Sequence, residues 1–242
     1  GVHQSFHRAG RALGVATPYE ADQKRWVEKI KGAEDSIRAA VEESGDAFLA
    51  ALKLSVAANL IDCEFRERLL PGFSLKALLE EAPGLELVID QSESLRQAAA
   101  AASRILFVHE TAGELFFDRL LIETLGKSVG SVTSVLRSAP SLGGALKADA
   151  LEVGLDKVAT LTDPGVDCRG LLLGSSSDKF IEEYEAADLV IAKGQAAFET
   201  LEEASGDSSK QKKAVFFLLR AKCAVIAGEL GVSPGDCVVE RN

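Results

Sequence analysis

The stretch ILFVHETAGELFFDRLLIE, Ile105 to Glu123, decides the fold. Its first four residues, Ile105 to Val108, are uniformly apolar and predict a buried strand. His109 to Gly113 form a short polar turn, and from Glu114 onward the apolar residues recur at helical spacing. A strand that enters a helix through a tight turn is the unit of an open parallel sheet. In such sheets ligands bind in the crevice at the carboxyl ends of the strands. A helix opening there directs unpaired N–H groups and a partial positive charge into that crevice. Glu110 and Thr111 stand at that point, so the floor of a site is expected here.

Downstream the same alternation continues. Apolar runs at Val132–Leu136, Val158–Leu161, Leu189–Ala192 and around Ala224–Ile226 predict strands. Helical spacing falls at Glu114–Leu125, Leu142–Val153, Lys179–Ala187 and Ala196–Ala204. Strands alternating with helices predict an α/β fold with a doubly wound, mainly parallel sheet in three αβα layers. Ala214 to Glu229 suits a strand or a helix, and Cys237 to Glu240 reads as a closing edge strand. Gly165–Asp178, holding GLLLGSSSD, and Ser205–Lys213, polar and lysine-rich, read as flexible connections.

Upstream the signals are helical. Pro18 opens a segment reaching Lys31, and a second covers Asp35–Glu43. Phe48, Leu52, Val56 and Leu60 share one buried face, Ser74 caps SLKALLEEA, and Ser92–Ser103 is alanine-rich. The expected division is a helical N-terminal subdomain, 1–103, and a Rossmann-like α/β core, 104–242, that carries the site.

Composition limits the function. The chain has 242 residues, 47% hydrophobic and 26% charged, with a formal net charge of -10. That balance fits a globular protein with a small ligand, and it argues against nucleic acid, whose phosphate backbone calls for a basic face. No apolar run approaches the roughly 20 residues a membrane span needs. The opening GVHQSFHRAGRALG lacks a signal-peptide core, so a cytoplasmic protein is expected. Cys63, Cys168, Cys223 and Cys237 form no CxxC pair and read as free, mostly buried thiols. His3 and His7 have metal-pair spacing in a segment that reads as a frayed terminus. There is no GxGxxG, no phosphate loop ending in GKS or GKT, and no nucleophile elbow.

Three loops follow expected strands: Glu110–Glu114, Arg137–Gly144 and Lys193–Gln195. Carboxylates, a hydroxyl and a lysine gathered at one crevice suit a hard cation and a phosphate. Each residue also has a plainer role. Glu110, Glu114 and Asp118 favour a helix start through the dipole, Gly143 and Gly144 make a turn, Lys193 is a loop cation, and His109 is a hydrogen-bonded structural histidine.

The string TAGELFFDRLLIETLG resembles the Asp-Asn-Ala-Gly-Glu and Phe-Asp-Arg-Leu-Leu-Ile-Glu motifs of the damage-control phosphatase family. Further matches follow in the family's order: TPYEADQKR, AANLIDCEF, ADALEVGLDKVA, ADLVIAKGQAAFETL and LLRAKCAVIAGELGV. Together they span about Gly14 to Glu240. The resemblance implies a helical N-terminal part on a doubly wound α/β core. It also implies a phosphomonoester hydrolase that uses Mg, Mn, Ni or Co on small phosphorylated metabolites.

Carried over residue by residue, the resemblance implies Glu110 and Lys193 as catalytic residues, with Glu110 and Thr111 at metal-ligand positions. It implies Asn59, Asp62, Arg137, Lys193 and Gly194 around the substrate, Lys193 meeting the phosphate. The ligand positions are nevertheless substituted. Glu110 and Thr111 stand for Asp and Asn, Gly143-Gly144 for an Asn-Asp pair, and Ala197 for the Asn before Phe198. The expectation is a phosphatase-family protein with a weakened or altered metal centre, or a catalytically silent binder of phosphate ligands.

Overall fold

A computed structural model describes residues 19–61, 71–125, 130–139, 143–166, 168, 170–205 and 213–242. Among them the helices are α1 (Glu20–Lys31), α2 (Glu34–Glu42), α3 (Ala47–Ala58), α4 (Leu75–Glu81), α5 (Ser92–Ala101), α6 (Leu115–Leu125), α7 (Lys147–Glu152), α8 (Asp178–Ala186), α9 (Gly194–Ser205) and α10 (Ala224–Leu230). The strands are β1 (Leu87–Asp90), β2 (Arg104–Val108), β3 (Ser131–Val135), β4 (Thr160–Thr162), β5 (Leu189–Lys193), β6 (Ala214–Arg220) and β7 (Cys237–Arg241).

The strands form one sheet in the order β1-β7-β6-β5-β2-β3-β4. Five strands run parallel; β7 is antiparallel to β6, and β1 is parallel to β7. Successive side chains of a strand point to opposite faces, and this period of two divides the core. Ile105, Phe107, Leu189, Ile191, Phe216 and Leu218 pack with Trp26, Leu52, Leu95 and Phe117 from α1, α3, α5 and α6. Leu106, Val108, Val190, Ala192, Phe217 and Leu219 pack with Phe180, Phe198, Leu201 and Ile226 from α8, α9 and α10. The result is three αβα layers. Strands covered on both faces read as continuous apolar runs, which is why β2 and β5 are legible in the sequence.

Three expectations change. Leu87–Asp90 lies in a segment read as entirely helical, yet it forms β1 at one edge of the sheet. The described residues of 19–103 contribute to the same buried cluster as β2, β5 and β6. Ala224–Ile226 is helical, not a strand; the strand of the ambiguous segment is Ala214–Arg220, and Gly231 ends α10 at φ 69°. Cys237–Arg241 is a strand but not an edge, since it pairs with β1 on one side and β6 on the other. Among the described residues no helix is long and apolar enough to cross a membrane. His3, His7, Cys63 and most of the Ser205–Lys213 connection lie outside the described residues, and Cys168, Cys223 and Cys237 are free thiols.

Phe117 is fully buried, with its ring edge-on to Phe116. Phe117→Ala is expected to lower unfolding free energy by about 3–5 kcal/mol in urea titration. A loss under about 1 kcal/mol would contradict this packing.

Candidate functional site

On one side of β2 the chain order runs to β3 and β4, and on the other to β5 and β6. The reversal between β2 and β5 is the topological switch point of a doubly wound sheet. Two of the three expected loops leave the sheet there, and backbone bonds tie in the third. Ala112 N donates to Gly143 O at 3.2 Å, and Ala145 N donates to Glu110 O at 3.1 Å. Glu110, Gly144 and Lys193 therefore share one rim.

Beneath that rim lies a closed set of charges. Glu110, Glu114, Asp118, Lys193 and Lys222 are all buried. The Lys193 ammonium donates to Ser55 O at 2.5 Å, Ser55 Oγ at 2.9 Å and Asp118 Oδ1 at 2.9 Å, and it lies 3.0 Å from Glu114 Oε2. Asn59 Nδ2 bridges Glu110 Oε2 at 2.6 Å and Glu114 Oε2 at 3.0 Å, while Asn59 Oδ1 accepts from Arg220 N. Thr111 Oγ1 donates to Glu114 Oε1 at 2.6 Å. Lys222 Nζ reaches Glu110 Oε2 at 3.0 Å, and its backbone N–H bonds Gln195 Oε1. Glu110 Oε1 is buried and accepts no hydrogen bond.

Local sequence accounts for this placement. Gly194 begins α9 at φ 77°, a conformation L side chains rarely adopt, and a Cβ there would overlap the Glu110 carboxylate. Without a side chain at Gly194, the long Glu110 arm lies across the switch point. His109 is fixed between Asp118 Oδ2 at 2.9 Å and Ser134 Oγ at 3.0 Å. That is the order of a hydrolytic triad, but Ser134 and Asp118 have no exposed surface, so the array holds the sheet to α6 and offers no nucleophile.

Burial sets the titration behaviour. It pushes the Asp118 carboxyl up, but Lys193 and the His109 hydrogen bond outweigh it and hold the group below its usual range. Burial raises Glu114, with Lys193 opposing and Glu110 adding to the rise. Lys193 is pushed down by burial and further up by Asp118 and Glu114, so it remains charged.

Of the other expected residues, Arg137 donates to the carbonyls of Cys168, at 3.1 Å, and of Gly170, which pins that loop to the rim. Asp149 accepts from Leu146 N at 2.8 Å and starts α7. Asp62 lies outside the described residues. Sequence reasoning missed Ser55, Ser134, Arg220 and Lys222. Lys222 had one available signal, a lone lysine within the apolar run LLRAKCAVIA.

Even a small hard cation that keeps several waters is held by one or two carboxylates free to bind it. The donors here do not fit one. Glu110 has one free oxygen and an ammonium on the other, the Thr111 hydroxyl is bonded to Glu114, and Gly144 has no side-chain donor. Among the described residues, no group of three or more His, Cys, Asp or Glu is placed to hold a metal ion.

A mostly parallel sheet in three αβα layers, with an acidic helix entry at its switch point, defines a doubly wound α/β protein. The damage-control phosphatase ARMT1-like domain matches residues 4–238, and the chain belongs to that family. It is 36% identical over 199 residues to damage-control phosphatase PH1575 of Pyrococcus horikoshii, and 33% over 187 residues to the uncharacterized protein MJ0202 of Methanocaldococcus jannaschii. These matches cover 81% and 76% of this chain but only 65% and 60% of those relatives. A damage-control phosphatase of Archaeoglobus fulgidus is 29% identical over 96% of this chain and 78% of its own length. The crystal structure of PH1575, described as a DUF89 family protein, superposes with a TM-score of 0.80 at 30% identity, covering 99% of this chain and 80% of that one.

Gly194→Ala is expected to cost about 2–4 kcal/mol, as strained backbone and steric overlap add. A denaturation midpoint equal to that of the unsubstituted chain would show that Glu110 does not lie over Gly194.

Asp118, held low in the folded state, contributes stability above about pH 4 that is lost as pH falls through its folded value. Raised Lys193 contributes below about pH 10.4 and loses that contribution at higher pH. Raised Glu114 acts in the opposite sense to Asp118, since folding favours its protonated form. The stability gap between the unsubstituted chain and Asp118→Asn should therefore be wide at about pH 6 and narrow toward about pH 2. A gap independent of pH would refute the assignment.

Proposed function

We propose that this chain is a phosphometabolite-binding member of the damage-control phosphatase family in which metal-dependent hydrolysis has been lost. The donor set carries this reading. The three positions where the resemblance implies metal ligands hold a carboxylate already paired with Lys222, a hydroxyl bonded to Glu114, and Gly144.

Binding rests on other features. The turn Ala112–Glu114 leads into the 11-residue α6 at the switch point, so the helix entry faces the crevice. Such an entry attracts phosphate through N–H groups and the helix dipole. Lys193 and Lys222 add positive charge beneath it. Lys193 is saturated by internal acceptors, so its part is to position Glu114 and Asp118 while its field favours the anion. Arg137 and Gly194 belong to the segments that follow β3 and β5. The ligand class is a small phosphorylated metabolite.

A second reading keeps an altered but active centre, and the unpartnered Glu110 Oε1 favours it, because a buried carboxylate oxygen is one ready ligand. One pair of experiments separates the two. Hydrolysis of a panel of sugar phosphates with Mn, Ni, Co or Mg is expected to stay at the protein-free rate. Calorimetry with the same esters in chelator is expected to show binding that Lys193→Ala weakens about tenfold or more, about 1.4 kcal/mol. Turnover that requires metal and is abolished by chelator would establish the second reading. Absence of ester binding would overturn both.

A further inference from the structure

The N-terminal half of α3 forms the floor of a second cavity, of about 540 Å3, and none of its lining residues belongs to the charged network at the switch point. α2 makes one wall, and α4 with the turn Ala82–Gly84 makes the other. Ile37, Val41, Leu49, Leu54, Leu79 and Pro83 give it an apolar lining. Alanines at 40 and 50 stand where larger side chains would fill the space, and Ala40 is exposed, so the mouth opens beside it. A concavity of this size, mostly apolar with a few polar groups, has the dimensions of a small-ligand site. We propose that it binds a free amphiphilic monocarboxylate, the alkyl chain along α3 and the carboxylate on the Lys53 ammonium.

The polar groups select that ligand. Ser36 Oγ donates to Ala33 O at 2.8 Å and Ser44 Oγ to Val41 O at 2.7 Å, so both hydroxyls are engaged locally. Asp46 Oδ1 accepts from Leu49 N at the start of α3, and Oδ2 pairs with Arg96 at 2.6 Å. Lys53 differs. Its Nζ reaches Pro83 O at 3.5 Å, the outer limit of a hydrogen bond, and among the described residues no carboxylate pairs with it. An ammonium carries three donors, so this one has capacity for an anionic partner. Asp46 and Glu43 lie at the other end of the cavity, and Asp46 is about 10 Å from Lys53 along the helix axis. Their sign disfavours a second anionic group there, which restricts the ligand to one charged head and an apolar body. A bilayer is a poorer occupant, because a net charge of -10 repels an anionic membrane surface and the concavity accepts a single chain.

The test is calorimetry of the full chain with octanoate, octanol and octylammonium. Octanoate is expected to bind at one site. Lys53→Met should weaken it about threefold to fivefold, the range of a partly exposed ion pair, and leave octanol unchanged. Ala40→Trp, at an exposed helical position beside the mouth, should abolish binding of both; if that variant melts lower, Ala40→Leu gives the same reading. Phosphate-ester binding should be equal in Ala40→Trp and the unsubstituted chain, which separates this outcome from that of the proposed function. Absence of octanoate binding, tighter binding of octylammonium, or an octanoate affinity indifferent to Lys53→Met overturns the inference. So does binding to phosphatidylglycerol vesicles without binding of the free acid. Self-association that Ala40→Trp removes and octanoate does not would assign the cavity to a second copy of the chain and overturn it as well.

Discussion

The Lys193 ammonium, with no exposed surface, sits where β5 meets α9 and must find all its partners inside the protein. A charge removed from water costs several kcal/mol unless it is paired and hydrogen-bonded. Its acceptors come from α3 through Ser55, from α6 through Asp118 and from the turn before α6 through Glu114. One cation thereby fixes two helices of one layer against the central strand. Breaking such a pair from one side is expected to cost about 3–5 kcal/mol, because the other side stays buried and uncompensated. His109 extends the constraint to β3 through Ser134, and Asn59 extends it to β6 through Arg220 N. The switch point is a polar weld inside an apolar sandwich.

Where physics is local, the sequence is legible. β2, its turn and α6 follow from a four-residue apolar run, polar punctuation and helical spacing, and β5 with Lys193-Gly194-Gln195 repeats that logic. Ser74 caps α4, accepting from Ala77 N at 3.2 Å as its position before an apolar run predicts. β1 escapes because a four-residue strand at a sheet edge, with one exposed valine, has too short a pattern to distinguish from a helix end. AVIAGEL escapes for the reverse reason: its apolar run is as short as a strand, and only Gly231 just beyond it marks a helix end. The position of β7 in the sheet is not local information at all, since CVVER satisfies an edge or an interior strand equally.

The site divides along the same line. Glu110, Thr111, Glu114, Asp118 and Lys193 stand out because they interrupt or follow apolar runs at strand ends. Their convergence depends on strand order, which topology rules supply. Lys222 and Ser55 belong to the same cluster but join it through long-range packing, and neither is marked by spacing. Family motifs preserve the frame of the site while several positions inside it are substituted.

Those differences are coupled. A glutamate where the family has aspartate is one methylene longer, enough to place its carboxylate across Gly194 onto Lys222. A glycine where the family has aspartate removes a charge that would otherwise repel the displaced carboxylate or demand a cation of its own. Thr111 in place of asparagine gives a hydroxyl that can donate to Glu114, which burial already shifts toward its protonated form. A buried polar group of this network left unsatisfied would cost about 1–3 kcal/mol. Together the substitutions bring the centre close to internal balance, with Glu110 Oε1 as the remaining open valence. The Glu110–Lys222 contact, the Asn59 bridge and the Thr111–Glu114 bond draw on the same two carboxylates, so a change at one of these positions alters the partners of the others.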